Sequence, residues 1–131
     1  MSMLLLDTDV MVDIMRGYDP ALQWLGTVSE NAIALPGFVV MELVQGCDNQ
    51  AEQELLLREI DQYRTIWPAS ETCQRALEVF ADVHLGHGTG LLDALIGQIA
   101  VDFDEPLHTF NRKHYAPIRN LEVKQPYDRE E

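Results

Sequence analysis

The sequence predicts an α/β domain built on a central parallel sheet, and three observations support that class. Residues 3–6 (Met-Leu-Leu-Leu) are apolar without alternation, the pattern of a strand covered on both faces. Short β-type runs alternate with longer segments of helical periodicity, as in strands joined by helical crossovers. At 131 residues and 47% hydrophobic, the chain is long enough to bury one core without staples. One domain over residues 1–131 is expected, with four to five strands, residues 3–6 central and helices on both faces.

The first strand runs straight into acids, Asp7-Thr8-Asp9 and then Asp13. A helix over residues 10–16 follows, for which Asp9 reads as the cap and Asp13 as a solvent-facing residue. Asp7 fits neither role. It sits at the carboxyl end of a buried strand, the edge where open α/β sheets bind ligands, and is poorly solvated unless donors or a cation meet it.

Gly17, Asp19 and Pro20 mark a turn, with Asp19 as cap and Pro20 at the first position of a helix to about residue 29. Residues 32–35 form a short strand. Pro36 and Gly37 turn the chain into a helix over 38–45 that Gly46 stops. Glu42 is the one acid in that apolar helix, and on composition alone it points outward. A long helix over 50–64 carries Leu55, Leu56, Ile60 and Tyr63 on its packed side.

Residues 65–67 form a brief strand ended by Pro68. The next helix, opened by Ser70 and Glu71, places Cys73, Leu77, Phe80 and Ala81 toward the core. His84 and His87 fall in a Gly-rich stretch that lacks the Walker spacing and lysine and reads as a flexible link. In the helix over 91–103, Leu95, Ile96, Ile99, Ala100 and Phe103 make an apolar face behind Asp93. Asp93 lies at its amino end, either as an N-cap or as a ligand that the helix dipole favours. A fourth strand over 106–110 ends in Asn111, and residues 121–123 supply a fifth.

Composition narrows the function. Two distant cysteines, Cys47 and Cys73, form neither a metal-ligand pattern nor a disulfide framework and read as reduced thiols. No apolar run approaches the roughly 20 residues of a membrane span, and the apolar start is too short for a signal peptide, so a cytoplasmic protein is expected. A net charge of −13 is unusual for a protein that meets a polyanion. The distribution softens this, because residues 1–105 carry 18 acids and 4 bases whereas residues 106–131 carry 4 acids and 5 bases.

Asp7, Glu42, Asp93 and Asn111 all fall where one sheet edge could gather them. Clustered carboxylates repel unless a divalent cation neutralises them, and an oxygen-only set selects Mg²⁺ or Mn²⁺.

Four blocks, LLLDTDVMVDIMRG, MELVQG around Glu42, LLDALIGQIA around Asp93, and HTFNRKHYAPIRNLEVKQPY, stand in that order along nearly the whole chain. Together they resemble the PIN-domain ribonucleases, and among them the VapC toxins of bacterial toxin-antitoxin pairs. The resemblance implies a three-layer α/β/α sandwich and a toxin that hydrolyses RNA phosphodiesters by metal-assisted attack of water. By the same resemblance Asp7 and Asp93 hold the metal. Glu42 ligates a second ion or orients the water, and Asp9 is a lesser contributor. Asn111 stands where many PIN domains carry a fourth acid, which puts a second metal in doubt. Thr8 and Thr109 would orient carboxylates, and Arg112, Lys113 and Arg119 would meet phosphates. The implied partners are RNA, a cognate antitoxin and a second copy of the chain, with DNA reached only through the antitoxin.

Two other classes fit parts of the sequence. Asp7-Thr8-Asp9 after a strand mimics a phosphatase of the haloacid dehalogenase type, although Met11 stands where that family has Thr and no suitable Lys is evident. A noncatalytic PIN-like binding module would carry the same acids merely as caps and solvated residues.

Overall fold

The computed structural model describes residues 2–129; residues 1, 130 and 131, the ends of the expected domain, lie outside them. Strand β1 (Leu4–Leu6) leads into α1 (Thr8–Met15) and α2 (Asp19–Leu25). A 3-10 turn (Glu30–Ala32) precedes β2 (Ile33–Pro36), α3 (Gly37–Gln45) and α4 (Gln50–Ile60). Strand β3 (Arg64–Ile66) is followed by α5 (Ser70–Val83) and α6 (Leu91–Phe103). The chain ends with β4 (Leu107–His108), α7 (Arg112–Tyr115) and β5 (Val123–Lys124).

All strand pairings are parallel and the order is β3-β2-β1-β4-β5. The expected class and the central position of the first strand are therefore observed. Leu5 and Leu6 are 0% exposed and all four residues of β2 are buried, which is why these strands lack alternation. From β1 the chain builds outward to β2 and β3, then returns to lay β4 on the other side of β1. The carboxyl end of β1 is thus a topological switch point, where the connections diverge and leave a crevice.

Local chemistry sets where α1 begins. Asp7, not Asp9, holds the cap position, with extended backbone and Oδ1 accepting from the Thr8 N–H at 2.8 Å. The helix accordingly starts at Thr8, two residues earlier than its apolar periodicity indicates, and Asp9 falls in its first turn. On the other side of the edge, Gly37 is required by close approach: a Cβ there would stand 2.4 Å from ring carbons of Trp67.

Other differences have physical causes. Helix α2 ends at Leu25 rather than near residue 29, because Gly26 and Thr27 close a turn in which Thr27 N–H donates to the Trp24 carbonyl at 2.9 Å. Leu55 is 60% exposed, since α4 turns Leu56 and Ile60 inward. In α5 the inward residues are Thr72, Ala76 and Val83, whereas Leu77 is 58% exposed and Ala81 is exposed. The register of α5 on α6 is set by polar groups that an apolar count passes over. Thr72 and Arg75 donate to Asp102, and Gln98 donates to its Oδ1 at 2.9 Å. Phe103, one residue on, is left largely exposed.

The stretch over residues 84–90 is not a free link. Thr89 is buried and its hydroxyl donates to the His114 carbonyl at 2.6 Å. Strand β4 is only two residues long, β5 is displaced to Val123–Lys124, and Asn111 opens a short helix that the sequence reading did not contain. Cys47 and Cys73 are free, as expected.

Candidate metal centre

The acids gather at the switch point. Asp7, Thr8, Asp9, Glu42, Asp93 and Asn111 line one hollow of about 280 Å³ at the carboxyl ends of the strands. Each arrives by a different route. Asp7 is delivered by β1 as the cap of α1, and Asp9 by the first turn of that helix. Glu42 comes from α3, Asp93 from the first turn of α6, and Asn111 from the connection after β4.

Asp7 is 5% exposed. Its Oδ1 accepts from Thr8 N–H and its Oδ2 from the Thr109 hydroxyl at 2.8 Å. Burial, with the neighbouring Asp9 charge, nevertheless pushes its pKa up to about 7; the hydrogen bonds from Thr109 and Thr8 and the nearby Tyr115 hydroxyl pull the other way. This is the signature of a carboxylate whose charge is incompletely met by the protein.

Asp9 is not the helix cap and is partly buried. Its Oδ2 accepts from Phe110 N–H at 2.9 Å and lies 3.3 Å from the Thr109 hydroxyl, so it ties α1 to the chain after β4. Burial raises its pKa too, opposed by the Phe110 and Val10 N–H groups and by Arg129. Asp13 is likewise engaged: it accepts from the Tyr127 hydroxyl at 2.7 Å and from Arg129 Nε at 3.0 Å.

Glu42 points into the hollow rather than outward, and its Oε1 accepts from the Thr8 hydroxyl at 2.7 Å. Asp93 is not the N-cap of α6. It occupies the third helical position and its Oδ2 accepts from Gly90 N–H at 2.7 Å. A side chain at 90 would crowd this oxygen at 3.2 Å, so glycine there lets the acid fold back. The N-cap reading of Asp93 is thus replaced by a bond from its Oδ2 back to Gly90, and the side chain still lines the hollow.

Asn111 Nδ2 lies 2.9 Å from His114 Nδ1, and the same ring nitrogen is 3.5 Å from Asp93 Oδ2. With the amide nitrogen so engaged, the carbonyl oxygen is the group that Asn111 can offer a cation. Arg112 and Lys113 are exposed in α7, immediately past the hollow. Arg119 is not gathered with them and lines a separate groove with Glu78 and Asp82.

Among the described residues, no three His, Cys, Asp or Glu side chains form a ready-made metal cage. The donors present still suit Mg²⁺ or Mn²⁺. All are oxygens, Asp7 is short of neutralising partners, and Mg²⁺ keeps several waters rather than demanding a closed protein shell.

A family model described as the PIN domain matches residues 4–118. The chain belongs to the PIN domain family. That match displaces the dehalogenase-type phosphatase as a reading of Asp7-Thr8-Asp9. No curated protein matches the sequence. Among solved structures, this PIN domain resembles a chain of a toxin-antitoxin complex from Klebsiella pneumoniae at 22% identity and a TM-score of 0.76, covering 95% of this chain and 98% of that one. VapBC2 from Rickettsia felis, bound to a DNA fragment from its promoter, aligns at 22% identity and a TM-score of 0.77 over 93% and 97% of the two chains. FitAcB from Neisseria gonorrhoeae aligns at 19% identity and 0.76 over 95% and 98%. At these identities the likeness speaks for the fold.

Asp7, Glu42, Asp93, Asn111, Thr8 and Thr109, the residues that the sequence singles out, all lie in or against the hollow. The sequence reading gives too little weight to Asp9, although a spacing of two from Asp7 across a strand-to-helix turn is a usable signal. It has no means of finding Arg129, whose contact with Asp13 spans 116 residues.

Proposed function

We propose that this PIN domain is a metal-dependent ribonuclease, the toxin member of a toxin-antitoxin pair. The observation that carries the reading is the convergence of Asp7, Asp9, Glu42 and Asp93 on one hollow at the switch point, with Asp7 left short of neutralising partners. Acids that were merely caps and solvated residues, as in a noncatalytic module, would not be steered by Thr8 and Thr109 into a common space.

Asp7 and Asp93 would hold Mg²⁺ or Mn²⁺, with Glu42 and the Asn111 carbonyl oxygen facing the same volume. When bound there, the ion would supply a water of lowered pKa and electrostatic stabilisation of the phosphate and leaving oxygen. The chain's own residues do the rest. Thr109 and Thr8 N–H fix the two oxygens of Asp7, and Thr8 Oγ1 fixes Glu42 beside it. Glu42, bound through one oxygen, retains the other to orient a water. Arg112 and Lys113, just past Asn111, offer cations to the phosphates that an acidic chain otherwise repels.

The solved relatives support a reading of the partners, for one is a chain of a toxin-antitoxin complex and another belongs to VapBC2 bound to a DNA fragment from its promoter. We infer an antitoxin, a homodimer, and DNA contact through the antitoxin alone. A larger groove of about 520 Å³ adjoins the acids through Thr8 and Glu42 and continues along Val12, Leu43 and Leu56. It suits an antitoxin segment whose apolar side chains lie in the groove and whose arginine reaches the carboxylates. Among the described residues no helix is long and apolar enough to cross a membrane.

The test is RNA cleavage by the purified chain. Cleavage in Mg²⁺ that stops in EDTA, returns with added Mn²⁺ and is absent in Asp93→Asn supports the proposal. Undiminished cleavage in EDTA would falsify it, and a folded chain that cuts no RNA in any metal would favour a binding module.

A further inference from the structure

Tyr115 closes α7 and is 2% exposed, yet its hydroxyl has no hydrogen-bond partner of standard geometry among the described residues. Buried phenols ordinarily find a partner, so an orphaned one calls for an explanation. Its surroundings supply one. The ring packs beside Gly97 of α6, where an added Cβ would stand 3.6 Å from Tyr115 Cδ1. The charges that bear on the hydroxyl are those of Asp7, Asp93 and Glu42, with Asp7 foremost. The buried hydroxyl thus lies within reach of the hollow's carboxylates, with Asp7 near enough to interact with it as an acceptor.

Filling the core does not account for it, because phenylalanine would occupy the same volume without burying an unpaired O–H. Nor are the neighbouring donors redundant with it. Thr8 N–H and the Thr109 hydroxyl each reach one oxygen of Asp7 from the side of α1 and β4, whereas Tyr115 approaches from α7.

We propose that Tyr115 is a positioning residue of the metal centre, its hydroxyl donating to the Asp7 carboxylate and holding it in the orientation that binds the cation. The inference rests on the metal-dependent reading above. A small adjustment of the hydroxyl or the carboxylate would complete this hydrogen bond. Outer donors of this kind set ligand orientation, and their removal typically costs 10–100-fold in metal affinity.

The experiment is calorimetric titration of Mn²⁺ into the purified wild-type chain and Tyr115→Phe, with thermal unfolding of both in EDTA. The expected result is affinity weaker by about tenfold in Tyr115→Phe, with its metal-free melting temperature unchanged or raised because an unpaired hydroxyl has gone. RNA cleavage by the variant should then need more Mn²⁺ and recover at saturation. Equal affinities within about twofold would overturn the proposal and leave the metal centre standing. A variant that melts lower but binds Mn²⁺ as well as wild type would also overturn it, assigning Tyr115 to the core. A wild-type chain that binds no Mn²⁺ would overturn the metal reading and this inference together, so the two failures are told apart by the wild-type titration alone.

Discussion

The hydroxyl of Thr109, fully buried at the end of β4, donates to Asp7 Oδ2 at 2.8 Å across 102 residues of sequence. The Thr109 hydroxyl oxygen in turn accepts from Asn111 N–H at 3.0 Å, so one small side chain aligns the acid at the end of the central strand and starts the turn that carries Asn111. Thr109→Val keeps the shape and removes both bonds. It should cost about 1–3 kcal/mol in urea denaturation, the usual penalty for stranding a buried donor or acceptor. It should also push the Asp7 pKa further up. Unchanged stability would show that the contact does no work.

The raised pKa of Asp7 makes a signed prediction for the metal-free protein. Its folded value, about 7, lies above the ordinary 3.8, so the folded state binds the proton more tightly. That contribution is complete below pH 3.8 and is lost as pH rises to about 7. In EDTA, wild type should therefore lose stability relative to Asp7→Asn between pH 4 and 8, by a few kcal/mol at most given about 1.4 kcal/mol per pKa unit. A difference between the two proteins that stays constant with pH would contradict the assignment.

At the other end of the same sheet edge, Gly37 is held against the Trp67 ring. Gly37→Ala must displace an aromatic side chain and should destabilise by about 1–3 kcal/mol, as overpacking does. In a Trp67→Ala background the same change should cost little, and a double-mutant cycle measures the coupling. Equal costs in the two backgrounds would rule out the steric account.

Much of this was legible in the sequence because it depends on local chemistry. An unbroken apolar run marks a strand buried on both faces, and a carboxylate at its end marks a sheet edge; Met3 to Asp7 shows both. Asp93 before an apolar helix is legible as an acid with two possible roles; the fold gives the N-cap position to Gly90 and brings Asp93, at the third helical position, to the hollow. What escaped depends on contacts distant in sequence. Nothing near Glu42 announces that Thr8 will turn it inward, and nothing near Asp9 shows that Phe110 N–H awaits it. Apolar spacing does not reveal the inward face of α5, because Thr72 and Arg75 tie it to Asp102 through polar contacts.

Asn111 departs from a fully acidic pattern, and its amide nitrogen is taken by His114. If its carbonyl oxygen faces the cation, Asn111→Asp supplies a charged ligand at the same place. It should lower the Mn²⁺ concentration needed for half-maximal RNA cleavage, with the maximal rate kept. A rate reduced at every Mn²⁺ concentration would instead show that the amide N–H₂ is the working group.

The central claim is that the hollow formed by Asp7, Asp9, Glu42, Asp93 and Asn111 holds a divalent cation. The measurement that tests it most directly is the melting temperature of wild type and Asp93→Asn as Mn²⁺ is titrated at pH 8. A ligand that binds only the folded state stabilises it by about 2.7 kcal/mol at one hundred times its Kd, which for a domain of this size is a rise of several degrees. Wild type should show that rise, saturating with Mn²⁺ and reversed by EDTA, and Asp93→Asn should not. A flat wild-type melting temperature, or the same rise in both proteins, would contradict the claim.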